Sequence, residues 1–111
     1  MQGKTEEAAE KIIEEAKIAE KLGCYAIVLE CIPAALAAKI TKAVSIPTIG
    51  IGAGVECDGQ VLVLFDMLGM SGFKIRFVRQ YLNGLELIKG ALNQYSADVH
   101  NAAFPAGDEI R

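Results

Sequence analysis

The sequence has no tryptophan, a single histidine and only three prolines among its 111 residues. Cationic residues are also few: 11 lysines and arginines face 14 aspartates and glutamates, for a formal net charge of −3. Because a nucleic-acid-binding protein needs a basic surface, this balance argues against that class. No apolar run approaches the roughly 18 residues of a membrane helix, and the charged start MQGKTEEAAEK does not fit a signal peptide. We therefore predict a cytoplasmic protein that binds neither nucleic acid nor a membrane.

Residues that ligate metals or serve as nucleophiles are equally scarce. Cys24, Cys31 and Cys57 are odd in number and contain no C-x-x-C pair, so we predict reduced thiols that mainly fill buried positions. A Ser-His-Asp arrangement would have to use His100. This residue lies near a loose C-terminus, where we predict a surface role for it, and the class is therefore discounted. No group of histidines, cysteines and acids has the spacing of a metal site, and no metal ligand is predicted.

What the sequence does contain is an alternation of helical and extended patterns. Hydrophobic residues make up 52% and charged residues 23% of the chain, a balance typical of one globular domain. Thr5 is a candidate N-cap and Gly23 a candidate end for the first helix. The spacing of apolar residues predicts helices over 5–22, 34–44, 73–81 and 84–99, strands over 25–30, 48–53 and 60–65, and a tail over 100–111.

Strands connected through helices pair in parallel, and strands this apolar belong to a sheet that helices cover. The pattern predicts an α/β fold, either a small open doubly wound sheet or part of a (β/α)8 barrel. Three strands cannot close a barrel. The chain is therefore either a small open sheet or a piece of something larger.

One strand ends on a charge, in the segment YAIVLECIP (residues 25–33). Side chains alternate along a strand, so Glu30 points to the same side as Ala26 and Val28, while the bulkier Tyr25, Ile27 and Leu29 are expected to pack on helices. Active sites collect at the carboxyl ends of strands in parallel α/β folds. We therefore interpret Glu30 as a carboxylate that points into a site.

Glycines mark one side of the second strand. Gly50, Gly52 and Gly54 share a side by alternation, and we place Glu30 on the same kind of face. The run GIGAG (residues 50–54) is not G-x-G-x-x-G, and Gln60 takes the place of the lysine that a P-loop needs. A looser cradle of backbone N–H groups for an anion stays open. Asp66 ends the third predicted strand as Glu30 ends the first, so it is a candidate site residue, a cap or an ion-pair partner.

Several segments together resemble the ketopantoate hydroxymethyltransferase (3-methyl-2-oxobutanoate hydroxymethyltransferase) family. They are LECIPAALAAKIT, SIPTIGIGAGVECDGQVLVLFDMLGM, FVRQYLN and the tail residues Ala103-Phe104-Pro105. The resemblance covers almost the whole chain. It implies a (β/α)8 TIM barrel of the phosphoenolpyruvate/pyruvate type, of which residues 1–111 would form the C-terminal portion with the last three parallel strands and their helices. Phe65 stands where the family usually has histidine.

The resemblance also implies a chemistry. The family transfers a hydroxymethyl group from 5,10-methylenetetrahydrofolate to 3-methyl-2-oxobutanoate, in pantothenate and coenzyme A synthesis, with Mg²⁺ as metal. Its catalytic glutamate maps onto Glu30, the base for the proton at C3. From the strand pattern we also predict that Gly50, Gly52, Gly54 and Asp66 line the substrate pocket. The magnesium and oxo-acid ligands would lie on earlier strands, outside this chain.

Three hypotheses follow. The chain is an enzyme fragment that is inactive alone, a half-site completed by copies of itself or by a partner chain that supplies the missing strands, or a non-catalytic α/β module that binds an anion. Because open sheet edges recruit other chains, we also expect oligomers.

Overall fold

A computed structural model describes residues 2–110. The chain divides into two compact units, one up to Leu62 and one from Val63 onward, whereas the sequence suggested one continuous barrel fragment. Among the described residues, no helix combines the length and apolar character that crossing a bilayer requires.

The first unit begins with helix α1, Glu6–Lys21, close to the predicted range. The Thr5 side chain caps it by accepting a hydrogen bond from the Ala8 N–H at 3.3 Å. Glutamates occupy the first turn and Lys21 the last, which complements the helix dipole. Gly23, at φ +98°, follows the helix in the left-handed conformation that glycine adopts at little cost.

A parallel sheet follows. Strand β1 (Ile27–Glu30) leads through helix α2 (Ala34–Ala43) to strand β2 (Thr48–Ile51), and the short strand β3 (Gly59–Gln60) completes the order β1-β2-β3. Both pairings are parallel, which confirms the prediction of a parallel α/β fold.

Both helices of this unit cover the same face of the sheet. Ala16 of α1, Ile40 of α2 and Leu29 of β1 belong to one buried cluster, with Ile27 packed against it. On the other side of β1, the Val28 side chain is 61% exposed. A doubly wound sheet has helices on both faces, so this layering favours a singly wound, barrel-like arrangement over the open alternative.

The third strand is much shorter than predicted. Its last bond joins the Val61 N–H to the Gly50 carbonyl at 3.0 Å, and β2 turns away at Gly52, which has φ +64°. No extended backbone of β2 remains beyond that point to pair with residues 62–65. The prediction of a strand over 60–65 is therefore wrong after Gln60.

The second unit begins where that strand was expected to continue. Residues Leu64–Met67 form the single-turn helix α3, closed by the Met67 N–H to the Val63 carbonyl at 3.0 Å and followed by Gly69 at φ +68°. The long helix α4, Gly84–His100, matches the prediction closely.

The helix predicted over 73–81 is absent from the structure of this segment, which is irregular. Its apolar residues Phe73, Ile75 and Phe77 alternate with cations instead of following a helical spacing. The Tyr81 N–H donates to the Met67 carbonyl at 2.8 Å, so this backbone closes over the end of α3 and does not continue a helix.

Candidate active site

Glu30 is the last residue of β1, and its side chain is exposed. The carboxylate therefore avoids the cost of burying an unpaired charge. The chain leaves the strand at once, because Cys31 has φ +53°, a left-handed conformation that is uncommon for any residue but glycine. The Cys31 N–H still donates to the Ile51 carbonyl at 3.0 Å. Backbone pairing to β2 thus fixes the position from which the carboxylate projects.

The register of the sheet decides which residues share the Glu30 face. Leu29 lies opposite Gly50, and Glu30 lies opposite Ile51. Residues opposite each other in a sheet point to the same side. The prediction that the first strand turns its bulky side chains toward the helices is confirmed for Ile27 and Leu29. It is wrong for Tyr25, which precedes β1 and is 90% exposed. The prediction that Glu30 shares a face with Gly50 is also wrong.

Gly50 is buried on the side of Leu29 because the following loop closes over it. A Cβ atom at this position would lie 2.9 Å from the Cys57 Sγ atom and 3.1 Å from the amide group of Gln60. The glycine is therefore explained by close packing within the protein. Its role in lining a substrate pocket stays a prediction.

The other two glycines turn the chain after β2. Gly52 and Gly54 have φ angles of +64° and +88°, and a Cβ atom on Gly54 would lie 2.5 Å from the Ala34 Cβ atom. The Gln60 side-chain N–H donates to the Gly54 carbonyl at 2.8 Å, which closes the loop on itself. The glycine-rich run thus brings the carboxyl end of β2 against the start of α2.

A polar network that sequence reasoning missed holds this loop. One carboxylate oxygen of Asp58 accepts hydrogen bonds from the Thr48 N–H at 2.9 Å and from the Thr48 hydroxyl at 3.1 Å. The Thr48 hydroxyl also lies 2.8 Å from that of Thr41 on α2. Thr48 is fully buried, so these bonds satisfy polar groups that water cannot reach. A threonine on the helix-covered side of a strand is the signal that could have revealed it.

Asp66 lies in the second unit and does not end a strand. It sits within α3, where the Ser71 hydroxyl donates to its carboxylate. The prediction that Asp66 matches Glu30 as a strand-end acid is wrong, because the pairing that would extend β3 stops before it. Its membership of a substrate pocket stays a prediction.

Two of the remaining sequence predictions concern the cysteines and His100. Cys57 is buried and Cys31 half-buried, but Cys24 is exposed, so packing does not explain all three. His100 is exposed, and its Nδ1 atom lies 2.9 Å from the Ser96 carbonyl oxygen, which fits the predicted surface role.

Charged groups other than Glu30 stabilise the helix surfaces. The three ion pairs found within residues 2–110 are all short-range pairs on exposed helix faces, and none of them includes Glu30. The Ser45 hydroxyl donates a hydrogen bond to the Glu20 carboxylate, and the Ser45 N–H donates a second one at 2.8 Å. These bonds lower the pKa of the Glu20 carboxyl below 4.5. This contact ties the end of α1 to the segment before β2.

Two clefts of the first unit lie away from Glu30. One of about 380 Å³ lies between the starts of α1 and α2, with Lys4 and Lys39 among its lining residues. The other, of about 350 Å³, is lined by residues of the N-terminal segment and α1, including Lys11. Within residues 2–110, no three histidine, cysteine or acidic side chains lie close enough together to hold a metal ion.

Comparison with known proteins adds to this geometry. A family profile described as ketopantoate hydroxymethyltransferase matches residues 1–107. The chain belongs to this family. It is 56% identical over 110 residues to a 3-methyl-2-oxobutanoate hydroxymethyltransferase from Bdellovibrio bacteriovorus, in a match that covers 98% of this chain and 42% of that protein.

Other relatives carry the same name. The match to the protein of Francisella tularensis subsp. tularensis is 53% identical and covers 95% of this chain and 40% of the relative. The match to the Syntrophus aciditrophicus protein is 52% identical, with 97% and 40% covered. The chain thus spans about two fifths of the length of the curated family members it matches.

Proposed function

We propose that this chain carries the general base of a ketopantoate hydroxymethyltransferase, and that the base is Glu30. The observation that carries the proposal is the place of this carboxylate, at the carboxyl end of a parallel strand and on the face that α1 and α2 leave uncovered. Parallel α/β enzymes place their reacting groups at that end of the sheet.

The proposed substrate is 3-methyl-2-oxobutanoate. A Glu30 carboxylate oxygen accepts the proton at C3, and the electron pair of the broken C–H bond enters the enolate between C2 and C3. The enolate carbon C3 then forms a bond to the methylene carbon of 5,10-methylenetetrahydrofolate. Both C–N bonds of that carbon break in the overall reaction, tetrahydrofolate leaves, and water supplies the hydroxyl group of the product. An exposed carboxylate on a fixed backbone suits this role, because it reaches an incoming substrate without prior rearrangement of the strand.

Mg²⁺ is part of the proposal only through the family. The described residues place no cluster of three suitable side chains together, so they do not form a magnesium site by themselves. The magnesium ligands are expected on other segments of the family barrel, which we propose to be of the phosphoenolpyruvate/pyruvate type.

We further propose that Glu30 works only when additional strands complete its surroundings. β1 lies at one end of the strand order, and among residues 2–110 no strand pairs with its outer edge. Such an edge is a template for another strand. A second copy or a partner chain that supplies the missing strands would pair there, in the cytoplasm, and the isolated chain is expected to be inactive.

A chimera tests the role of Glu30. Residues 2–110 replace the matching 42% of the Bdellovibrio relative, and hydrogen–deuterium exchange at C3 of 3-methyl-2-oxobutanoate is followed by NMR. Because a positioned general base contributes about 10²–10⁴-fold, Glu30→Gln is expected to slow exchange by about that factor. Glu15→Gln, a change on the exposed face of α1, is the matched control and should leave the rate unchanged.

Two results would contradict the proposal. One is a Glu30→Gln chimera that exchanges C3 hydrogen as fast as the chimera with the native glutamate. The other is equal loss in the Glu15→Gln control, which would point to damage of the fold. The first outcome would favour the alternative of a non-catalytic module that binds an anion or assembles with other chains, and the second would remove the evidence for a specific role of Glu30.

A further inference from the structure

The cleft between the starts of α1 and α2 has the size of a small-molecule site. Its volume is about 380 Å³, which lies within the range of about 300–1,000 Å³ that is usual for such sites. Glu30 is not among the residues that line it. The proposed catalytic role of Glu30 therefore does not account for this cleft.

Part of the cleft is apolar and fixed by the core. Leu36 of α2 is buried, and Ala9 and Ile13 of α1 are half-buried and pack against the same cluster. Because the core holds these side chains in place, an apolar group that enters the cleft meets a preformed surface.

The segment before α1 forms one wall of the cleft. Gly3 has φ +71°, and a Cβ atom at this position would overlap the Leu36 side chain. Glycine therefore lets the segment approach α2 closely. Thr5, which also lines the cleft, fixes the next turn by accepting a hydrogen bond from the Ala8 N–H at 3.3 Å. Specific residues of the sequence thus determine this wall.

Charges of both signs surround the apolar part. Glu6 and Glu10 lie one turn apart on α1, Lys39 lies on α2, and Lys4 precedes α1. All four side chains are exposed, and none takes part in the ion pairs found within residues 2–110. The cleft therefore offers two cations and two anions that are not engaged with each other.

Other charges of α1 do form pairs. The Lys11 Nζ atom lies 3.9 Å from a Glu15 carboxylate oxygen, and the Lys17 Nζ atom lies 2.6 Å from a Glu14 carboxylate oxygen. The unpaired charges of the helix start thus coincide with the cleft. A ligand of one sign would be attracted by half of these groups and repelled by the other half, so a ligand with both charges fits better.

The two helices contribute matching pairs of residues. Glu10 and Ile13 are three positions apart on α1, and Leu36 and Lys39 are three positions apart on α2. Residues at this spacing are neighbours on a helix surface. Each helix therefore presents an apolar side chain beside a charge, and the two charges have opposite signs.

We propose that this cleft binds an aliphatic α-amino acid as its zwitterion, a role that goes beyond the proposed function and does not depend on it. The aliphatic side chain of the ligand contacts Ile13 and Leu36. Its ammonium group pairs with Glu10, and its carboxylate accepts hydrogen bonds from the Lys39 ammonium group. Apolar contact supplies most of the affinity, and the charges select the zwitterion.

Titration of L-leucine into the ¹⁵N-labelled 111-residue chain, followed by NMR, tests the proposal. The amide shifts should saturate and should be largest at residues of the cleft. Because exposed charge pairs contribute little, Lys39→Gln and Glu10→Gln should each weaken binding by about 2- to 5-fold. Lys42→Gln and Glu7→Gln make the same changes in charge on the same helices but do not line the cleft, so they should leave the affinity unchanged.

Three control ligands each lack one feature of L-leucine. 4-Methylpentanoate lacks the ammonium group, 3-methylbutylamine lacks the carboxylate, and glycine lacks the aliphatic side chain. All three should bind more weakly than L-leucine. Since each buried methylene contributes about fourfold, glycine should bind at least about 10-fold more weakly.

Several results would overturn the proposal. They are the absence of saturable shifts, shifts centred outside the cleft, equal or tighter binding of any control ligand, and equal losses in Lys42→Gln and Lys39→Gln. Glu30→Gln should leave the affinity for L-leucine unchanged, because that side chain does not line the cleft. Failure of the C3 exchange assay would therefore count against Glu30 alone, and failure of this titration against the cleft alone.

Discussion

Asp58→Ala should loosen the sheet, because Asp58 provides the acceptor for two groups that are shielded from solvent. The lost bonds are those from the Thr48 N–H at 2.9 Å and the Thr48 hydroxyl at 3.1 Å. The hydroxyl keeps its contact with Thr41 at 2.8 Å, so the backbone N–H carries most of the cost. Hydrogen bonds to a charged acceptor contribute about 1.5–3 kcal/mol. Since Asp58 itself is exposed, we expect a loss of about 2 kcal/mol.

Native-state amide hydrogen exchange measures this loss locally. A decrease of about 2 kcal/mol in the opening free energy should speed exchange of the β2 amides roughly 30-fold. Asp58→Asn keeps a neutral acceptor oxygen and should give a smaller acceleration. Asp98→Ala removes a carboxylate that accepts only the exposed Gln94 amide and serves as the control. Unchanged exchange of β2 in a folded Asp58→Ala variant would refute the reasoning.

Three further changes probe other parts of the fold. Gly50→Ala places a Cβ atom 2.9 Å from the Cys57 Sγ atom and should destabilise the first unit by about 1–3 kcal/mol in urea denaturation. Gly90→Ala, in the exposed middle of α4 with open space around it, should instead stabilise that helix by about 0.5–1 kcal/mol, measured by thermal melting. Glu20→Gln should remove a pH dependence, because the contacts with Ser45 lower the pKa of Glu20 below 4.5. That contribution is present above pH 4.5 and is lost as the pH falls through the lowered pKa, which a pH series of Ser45 amide exchange would show.

Each of these predictions has a clear opposing result. A Gly50→Ala variant as stable as the native chain would mean that Cys57 and Gln60 move away from the added Cβ atom at little cost. A destabilised Gly90→Ala variant would mean that α4 packs against something at that position. Identical acid profiles for the native chain and Glu20→Gln would show that the Ser45 contact does not persist in solution. Glu15→Gln, which removes an exposed acid of the same helix, is the control for the last case.

The first helix was predictable because its signals are local. Thr5, the two glutamates that follow it and Gly23 all lie within or next to the segment that they define, so no knowledge of the remaining fold is needed. The alternation of apolar residues in β1 likewise placed Leu29 against the helices and Glu30 on the other side, and the structure confirms both.

The length of β3 was not predictable in this way. Residues 60–65 read QVLVLF, which favours a strand by composition. Whether a strand continues depends on a partner backbone, and β2 leaves the sheet at Gly52. The sequence of residues 60–65 does not indicate where β2 ends.

The face of Gly50 was misassigned for a related reason. A row of small residues indicates close approach, but it does not say whether a ligand or the chain itself approaches. The answer depends on Cys57 and Gln60, which a loop brings back over the strand. The hydrogen bond between Asp58 and Thr48 joins residues ten positions apart. Such a pair can be recognised only once the path of the loop between the two residues is known.

The left-handed residue after Glu30 restricts which substitutions this part of the chain tolerates. Glycine could replace Cys31 with relief of backbone strain, whereas a valine or isoleucine there would be forced into a conformation that β-branched residues rarely adopt. Valine or isoleucine at position 31 would redirect Ile32 and, after it, Pro33. Pro33 precedes α2, and its carbonyl accepts the Leu36 and Ala37 N–H groups. A substitution of Cys31 would therefore also change the direction of the Glu30 carboxylate and the position of α2.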